Sequence, residues 1–111
     1  MGSSYLIAGQ EKPSANTDTQ LYLVPASTEF VGSTLCICNQ SVTDVTSYGV
    51  AVVKNTETLS DKHWIKMNQL LDQRQSKDIT IGMTLAAGDK VIVRNDTGTV
   101  SFTLFGSEIT V

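Results

Sequence analysis

The stretch Lys90-Val91-Ile92-Val93-Arg94-Asn95-Asp96-Thr97-Gly98-Thr99-Val100-Ser101-Phe102-Thr103-Leu104-Phe105 decides the fold. Lys90 to Arg94 is short and β-branched, the composition of a strand. In Val100 to Phe105, Val100, Phe102 and Leu104 alternate with polar Ser101 and Thr103, a period of two that turns one face inward. Between the two runs, Asn95-Asp96-Thr97-Gly98 is a turn with Gly98 available for positive φ. The two runs therefore read as a β-hairpin, Val100 to Phe105 being the partner strand. Gly106 is expected to break or bulge that strand, with Ile109 and Val111 continuing it.

Working outward, the same pattern recurs. Asp78 to Leu85 alternates Ile79, Ile81 and Met83, and Ala86-Ala87-Gly88-Asp89 turns the chain. Tyr48 to Val53 is a strand with Tyr48, Val50 and Val52 on one face, followed by the polar loop Lys54 to Lys62. Phe30 to Asn39 is a longer strand, ended by the polar turn Gln40 to Thr46. Val31, Leu35 and Ile37 are expected on one of its faces, and Phe30, Cys36 and Cys38 on the other. Apolar residues on both faces predict a central strand. Leu21-Tyr22-Leu23-Val24 is a strand ended by Pro25. Trp64 to Gln75 is ambiguous: Trp64, Met67 and Leu71 fit a helical period, whereas His63, Ile65 and Met67 fit a strand. The adopted reading is a strand from His63 to Met67, then an irregular loop through Lys77. This amounts to about seven short strands and no helix. The expected fold is an all-β, antiparallel β-sandwich, Ig-like or jelly-roll-like.

The 111 residues allow one domain,. That length supports a core without disulfide or metal. A net charge of -3, with scattered basic residues, argues against a nucleic-acid partner,. No apolar stretch approaches a membrane span, and the N-terminus lacks the pattern of a signal peptide, so the expectation is synthesis in the cytoplasm without membrane insertion. Residues 1–20 are polar and aperiodic and read as an extended N-terminal arm ahead of a β-sandwich domain at 21–111. The arm is expected to lie on its own body or on a neighbour; fully extended, about 20 residues would reach about 60–70 Å.

Catalytic chemistry finds little footing. His63 is the single histidine. In Asp61-Lys62-His63-Trp64 it reads as a locally hydrogen-bonded or contact residue rather than a catalytic base. The carboxylates lie in or beside turns, where Asp bonds its own backbone or stays solvated. No phosphate loop is present. Cys36 and Cys38 read as buried small hydrophobes, since two thiols and one histidine make a poor metal site. No catalytic, cofactor or metal residue is therefore expected. Asn39-Gln40-Ser41 and Asn95-Asp96-Thr97 match the glycosylation pattern but are discounted, because that pattern is common by chance. Within the arm, Tyr5, Leu6 and Ile7 look like an apolar anchor for a neighbouring protein. With Pro13, His63, Trp64 and Arg74 they form the candidate protein-contact set. Trp64 and the tyrosines could also stack on sugars.

Several segments, in order, carry a resemblance. Gln10, Pro13, Thr17 and Thr19 lead into Leu21-Tyr22-Leu23-Val24-Pro25-Ala26-Ser27-Thr28. Val31, Ser33-Thr34-Leu35-Cys36-Ile37-Cys38-Asn39, Val50-Ala51-Val52 and Asp61-Lys62-His63-Trp64 follow. Leu85-Ala86-Ala87-Gly88-Asp89 and Val100-Ser101-Phe102-Thr103-Leu104-Phe105-Gly106-Ser107-Glu108-Ile109 complete the series. The chain resembles small single-domain β-sandwich virion structural proteins of tailed bacteriophages. The order of the segments carries the likeness, not any single one, and Asn68 to Lys77 departs from the family pattern. The resemblance implies a non-enzymatic β-sandwich virion component; the expected role is first that of a capsid decoration (cement) protein and next that of a tail, baseplate or neck component. Its partners would be the major capsid protein or other virion proteins, and further copies of itself. A host-surface carbohydrate-binding module is the alternative from another class.

Overall fold

The computed structural model describes residues 2–111. Among them, eight strands form: β1 (Ser3–Glu11), β2 (Thr19–Leu23), β3 (Thr28–Asn39), β4 (Thr46–Val53), β5 (Trp64–Leu71), β6 (Ser76–Leu85), β7 (Lys90–Asn95) and β8 (Val100–Thr110), with a 3₁₀ turn at Asp61–His63 before β5. They divide into two four-stranded sheets, ordered β1-β8-β3-β6 and β2-β7-β4-β5, in which every pairing is antiparallel. Successive strands alternate between the sheets except for β4 and β5, which are neighbours in the second one. That topology is the jelly roll, the second of the two sandwich types that the alternation pattern allowed.

The expected β7–β8 hairpin does not form. β7 pairs with β2 and β4, whereas β8 pairs with β1 and β3. Asn95 to Thr99 is instead an arch that carries the chain from one sheet to the other. Val91 and Val93 of β7 thus face Val100, Phe102 and Leu104 of β8 across the core instead of lying beside them. The turn chemistry itself is as read: Gly98 has φ +76°, and its N–H donates to the Asn95 side-chain oxygen.

The core lies between the sheets. Phe30, Leu35 and Ile37 of β3 meet Tyr48 and Val50 of β4, and the Tyr48 and Phe102 rings pack edge to face at 6.4 Å. Burying a large apolar side chain contributes about 1.5–3 kcal/mol, so this cluster outweighs any surface contact. β3 is central, as expected, but its faces are not. Its register slips between Gly32 and Thr34, where Ser33 is an extra residue opposite β8; against β6 the extra residue lies on β6, between Thr80 and Met83. The bulge reverses the alternation, so Phe30 points inward with Leu35 and Ile37 while Val31 points out,. Cys36 and Cys38 also face outward, Cys38 exposed and Cys36 half-buried, both as free thiols. The expectation of buried thiols is therefore corrected. Burial raises the Cys36 thiol above its ordinary value, with help from the Asp78 carboxylate, its register partner on β6.

Three further boundaries differ. β5 continues to Leu71 and β6 begins at Ser76, so only Asp72 to Gln75 turn where a loop through Lys77 was expected. β8 runs through Gly106 to Thr110 without a break. The predicted inward set of β6 holds for Met83, which is buried, and for Ile79, which packs at the core margin; the side chain of Ile81 lies outside the described set. Much of the segment read as an arm is β1, paired along its length with β8. It lies on its own body, one of the two placements the sequence left open.

Both ends of the sandwich are stitched by backbone hydrogen bonds. At one end Asn16 N–H reaches Asn95 O (2.7 Å), Gln40 N–H reaches Thr99 O (2.9 Å) and Arg74 N–H reaches Ser41 O (2.9 Å). At the other, Val24 and Asp89 (2.9 Å) and Val111 and Ser27 (2.9 Å) close the loops. There the Tyr22 hydroxyl donates to Glu108 across the sheets at 2.6 Å. Burial and that carboxylate together push the Tyr22 hydroxyl far above its ordinary value.

Candidate functional site

Two surfaces stand out, one on the outer face of each sheet. The first is apolar. In β1, Tyr5 is opposite Ser107 and Ile7 opposite Phe105; in β3, Val31 is opposite Ser107 and Thr34 opposite Phe105. The pleat sends Tyr5, Ile7, Phe105 and Val31 to the same outer face. Tyr5 is 90% exposed, Ile7 54%, Val31 42% and Phe105 37%. Together with Leu6 they line a shallow depression of about 580 Å³. Four large apolar groups held open on a rigid sheet cost free energy in water, which sets this strip apart from scattered single apolar residues.

The second surface is polar with one aromatic wall. Gly49 and Arg94 are register partners on β4 and β7, facing away from the core. Trp64 lies over Gly49: a Cβ there would come within 3.0 Å of the indole ring. Arg94 donates to Asp18 at 3.1 Å. Asn16, Asp18, Gly49, Trp64, Met67 and Asn68 are among the residues around a groove of about 390 Å³. β5 builds this groove by irregularity. Its register against β4 slips twice, between Tyr48 and Val50 and between Val50 and Ala51. Asn68, inside the first slip, adopts φ 52°. Extra residues on a bulged strand re-aim its side chains.

The indole is seated from behind. Trp64 and Leu59 cover Ala51, Val53 and Ile92, a second small apolar cluster on the outer side of this sheet. The loop over it is clipped by His63, only 7% exposed. The Ser60 N–H donates to His63 Nδ1 at 2.9 Å, which leaves the proton on Nε2. Nε2–H then donates to Glu57 Oε1 at 2.8 Å, and Lys62 Nζ approaches the same oxygen at 3.2 Å. The His63 hydrogen bond, then Lys62, lowers the Glu57 carboxyl below its ordinary value. A lowered folded value means that Glu57 adds stability above the unfolded carboxylate value and loses it as pH falls through the folded one. Glu57→Gln should therefore flatten the acid limb of the urea midpoint measured between about pH 3 and 6. Parallel limbs for the two proteins would refute the clip.

The sequence-derived contact set does not gather at one place. Tyr5, Leu6 and Ile7 lie on the apolar strip. Trp64 is half-buried at the groove on the opposite sheet, and His63 beside it is buried in the clip. Pro13 is buried, its carbonyl accepting from Asn95 Nδ2 at 3.2 Å, so it holds the β1–β2 loop. Arg74 is exposed in the β5–β6 turn with φ 57°. His63 and Pro13 are thus structural, and neither presents a surface to a partner. Sequence reasoning missed Asn16, Asp18 and Arg94 as groove residues. It also missed what Asn39 and Asn95 do. Both are buried, and both anchor loops through side-chain hydrogen bonds, which makes them structural rather than glycan acceptors. Among the described residues no cluster of metal-ligating side chains occurs.

No protein-family model matches the chain, and no curated protein matches it in sequence. In structure it is similar to a chain in the structure of infectious bursal disease virus, Gt strain, with a TM-score of 0.50 and 12% identity. The match covers 96% of this chain and 32% of that one, so this chain spans about a third of its length. At that identity the likeness is one of fold.

Proposed function

We propose that this protein is a non-enzymatic structural component of a virus particle, docking through the apolar strip of Tyr5, Ile7, Val31 and Phe105. The strip carries the reading: it is apolar, contiguous, and held on a sheet that loses little entropy when it docks. Two further observations support it. The ordered segments of the sequence resemble tailed-phage virion proteins, and a chain of a virus structure shares the fold. Jelly rolls serve many functions, so the fold alone does not decide between them.

Within that reading, capsid decoration comes first and a tail, baseplate or neck position second. Many copies, each held by a modest apolar contact, can reinforce a lattice collectively. Tyr5→Ser combined with Ile7→Thr should leave the folded domain intact, because both side chains point to solvent. Incorporation into particles, measured as copies per particle by quantitative gel analysis, should fall at least about tenfold, the effect of about 1.4 kcal/mol per contact. Unchanged copy number would overturn the proposal. High copy number and heads that lose stability without the protein support decoration; few copies and intact heads support the tail.

A further inference from the structure

We propose that the groove between Trp64, Asp18 and Arg94 binds a neutral saccharide ring. This site lies on the sheet opposite the apolar strip and stands independently of the docking reading. Its volume of about 390 Å³ lies in the range of small-ligand clefts, about 300–1,000 Å³. The chemistry of its lining is mixed in a particular way. One wall is the indole of Trp64, extended by the Met67 side chain. The rest offers planar polar groups: the Asp18 carboxylate, the Arg94 guanidinium and the amides of Asn16 and Asn68. A pyranose has the complementary surface, with an apolar face of C–H bonds and a rim of hydroxyls that each donate and accept. Flat side chains with paired donors or acceptors bridge adjacent hydroxyls, and an aromatic plane takes the C–H face.

Charge argues for a neutral sugar. Two carboxylates, Asp18 and Asp96, face one guanidinium, and Arg94 is already engaged by Asp18 at 3.1 Å. An anionic ligand would meet net negative charge. A cationic side chain would have to compete with Arg94 for Asp18, and Asp96 is partly engaged, its Oδ1 accepting from Ser47 N–H at 2.8 Å and the Thr46 hydroxyl at 3.1 Å.

The groove is also built before any ligand arrives. Gly49 leaves the space that the indole overlies, and the His63 clip fixes the residue before Trp64. Asn16 and Asn68 both sit in the left-handed region, with φ 56° and 52°. That conformation costs about 1 kcal/mol or more outside glycine, so it persists only where the surroundings hold it.

The test uses the full chain and its single tryptophan, whose emission reports on this groove alone. The probes are neutral hexose and N-acetylhexosamine oligosaccharides, with sulfated sugars and an oligolysine peptide as comparison ligands. At least one neutral sugar should shift the emission saturably, with a Kd of about 0.1–1 mM. Asp18→Ala alters only a half-exposed ion pair and should keep the fold, yet weaken that sugar about tenfold. Tyr5→Ser, on the other sheet, should bind as the parent does. An emission change with none of the neutral sugars, a preference for sulfated sugars or oligolysine, or equal affinity in Asp18→Ala would each overturn the proposal.

Discussion

Asn39→Ala should destabilise the protein by roughly 3 kcal/mol or more, several hydrogen bonds at about 1 kcal/mol each. Asn39 ends β3 and is 0% exposed. Its Nδ2 donates to the carbonyls of Asp44 (2.9 Å), Leu71 (3.2 Å) and Asp72 (3.3 Å). Its Oδ1 accepts from Ser41 N–H (3.1 Å) and from the Thr99 hydroxyl (2.8 Å). One amide thus ties together the β3–β4 turn, the end of β5 and the arch between β7 and β8. Alanine removes both halves of the amide and leaves its partners without bonds in a place water reaches poorly, which costs more than the lost bonds themselves. Asn39→Asp keeps the acceptor but loses the donors when ionised, so near neutral pH it should cost nearly as much. The check is the urea midpoint of each variant against the parent. A loss below about 1 kcal/mol for Asn39→Ala would mean that the three loops are held by their backbone bonds alone.

The sequence pattern made the fold class legible because a period of two states which side chains turn inward. It does not state which strand lies beside which. Val91, Val93, Val100, Phe102 and Leu104 are buried whether β7 and β8 pair laterally or face each other across the core, so the hairpin and the arch look alike along the chain. Bulges caused the other departures. Ser33 shifts the phase of β3, which exchanged Phe30 with Val31; the cysteines keep the face opposite Leu35 and Ile37, and that outer face is open. In β5 the extra residues bring Trp64 and Met67, three positions apart, to the same groove. That spacing imitates a helical period and explains why the segment was ambiguous. Of the surfaces, Tyr5, Leu6 and Ile7 were visible as apolar residues in a polar stretch. Asp18 and Arg94 were not, because they meet only through the pairing of β2 with β7, and nothing local marks either one. The two glycosylation-like triplets did point to special asparagines, though for hydrogen bonding rather than for modification.

Gly106→Ala should be strongly damaging, costing about 3 kcal/mol, the upper end for overpacking a filled core. Gly106 and Gly32 are register partners in the centre of the first sheet, and both are buried. The Phe30 ring fills the space that their side chains would take, the arrangement in which an aromatic covers a glycine within a sheet. A Cβ on Gly106 would collide with the Phe30 ring and would lie 2.5 Å from the Val31 backbone oxygen. The ring is backed by Tyr22, whose ring centroid is 4.6 Å away, and Val31 is held in the β3–β8 ladder. Neither neighbour can yield without moving β3 against β8. Gly82→Ala supplies the contrast: it lies in edge strand β6 with nothing within 4 Å of a new Cβ. There the change should be neutral or stabilising by up to about 1 kcal/mol, since glycine is the weaker strand residue. Equal urea midpoints for the two variants would refute the packing argument. Because Phe105 and Val31 flank this close approach, Gly106→Ala should also distort the apolar strip. Particle incorporation should then fall even under conditions where the variant is folded, and Gly82→Ala should leave it unchanged.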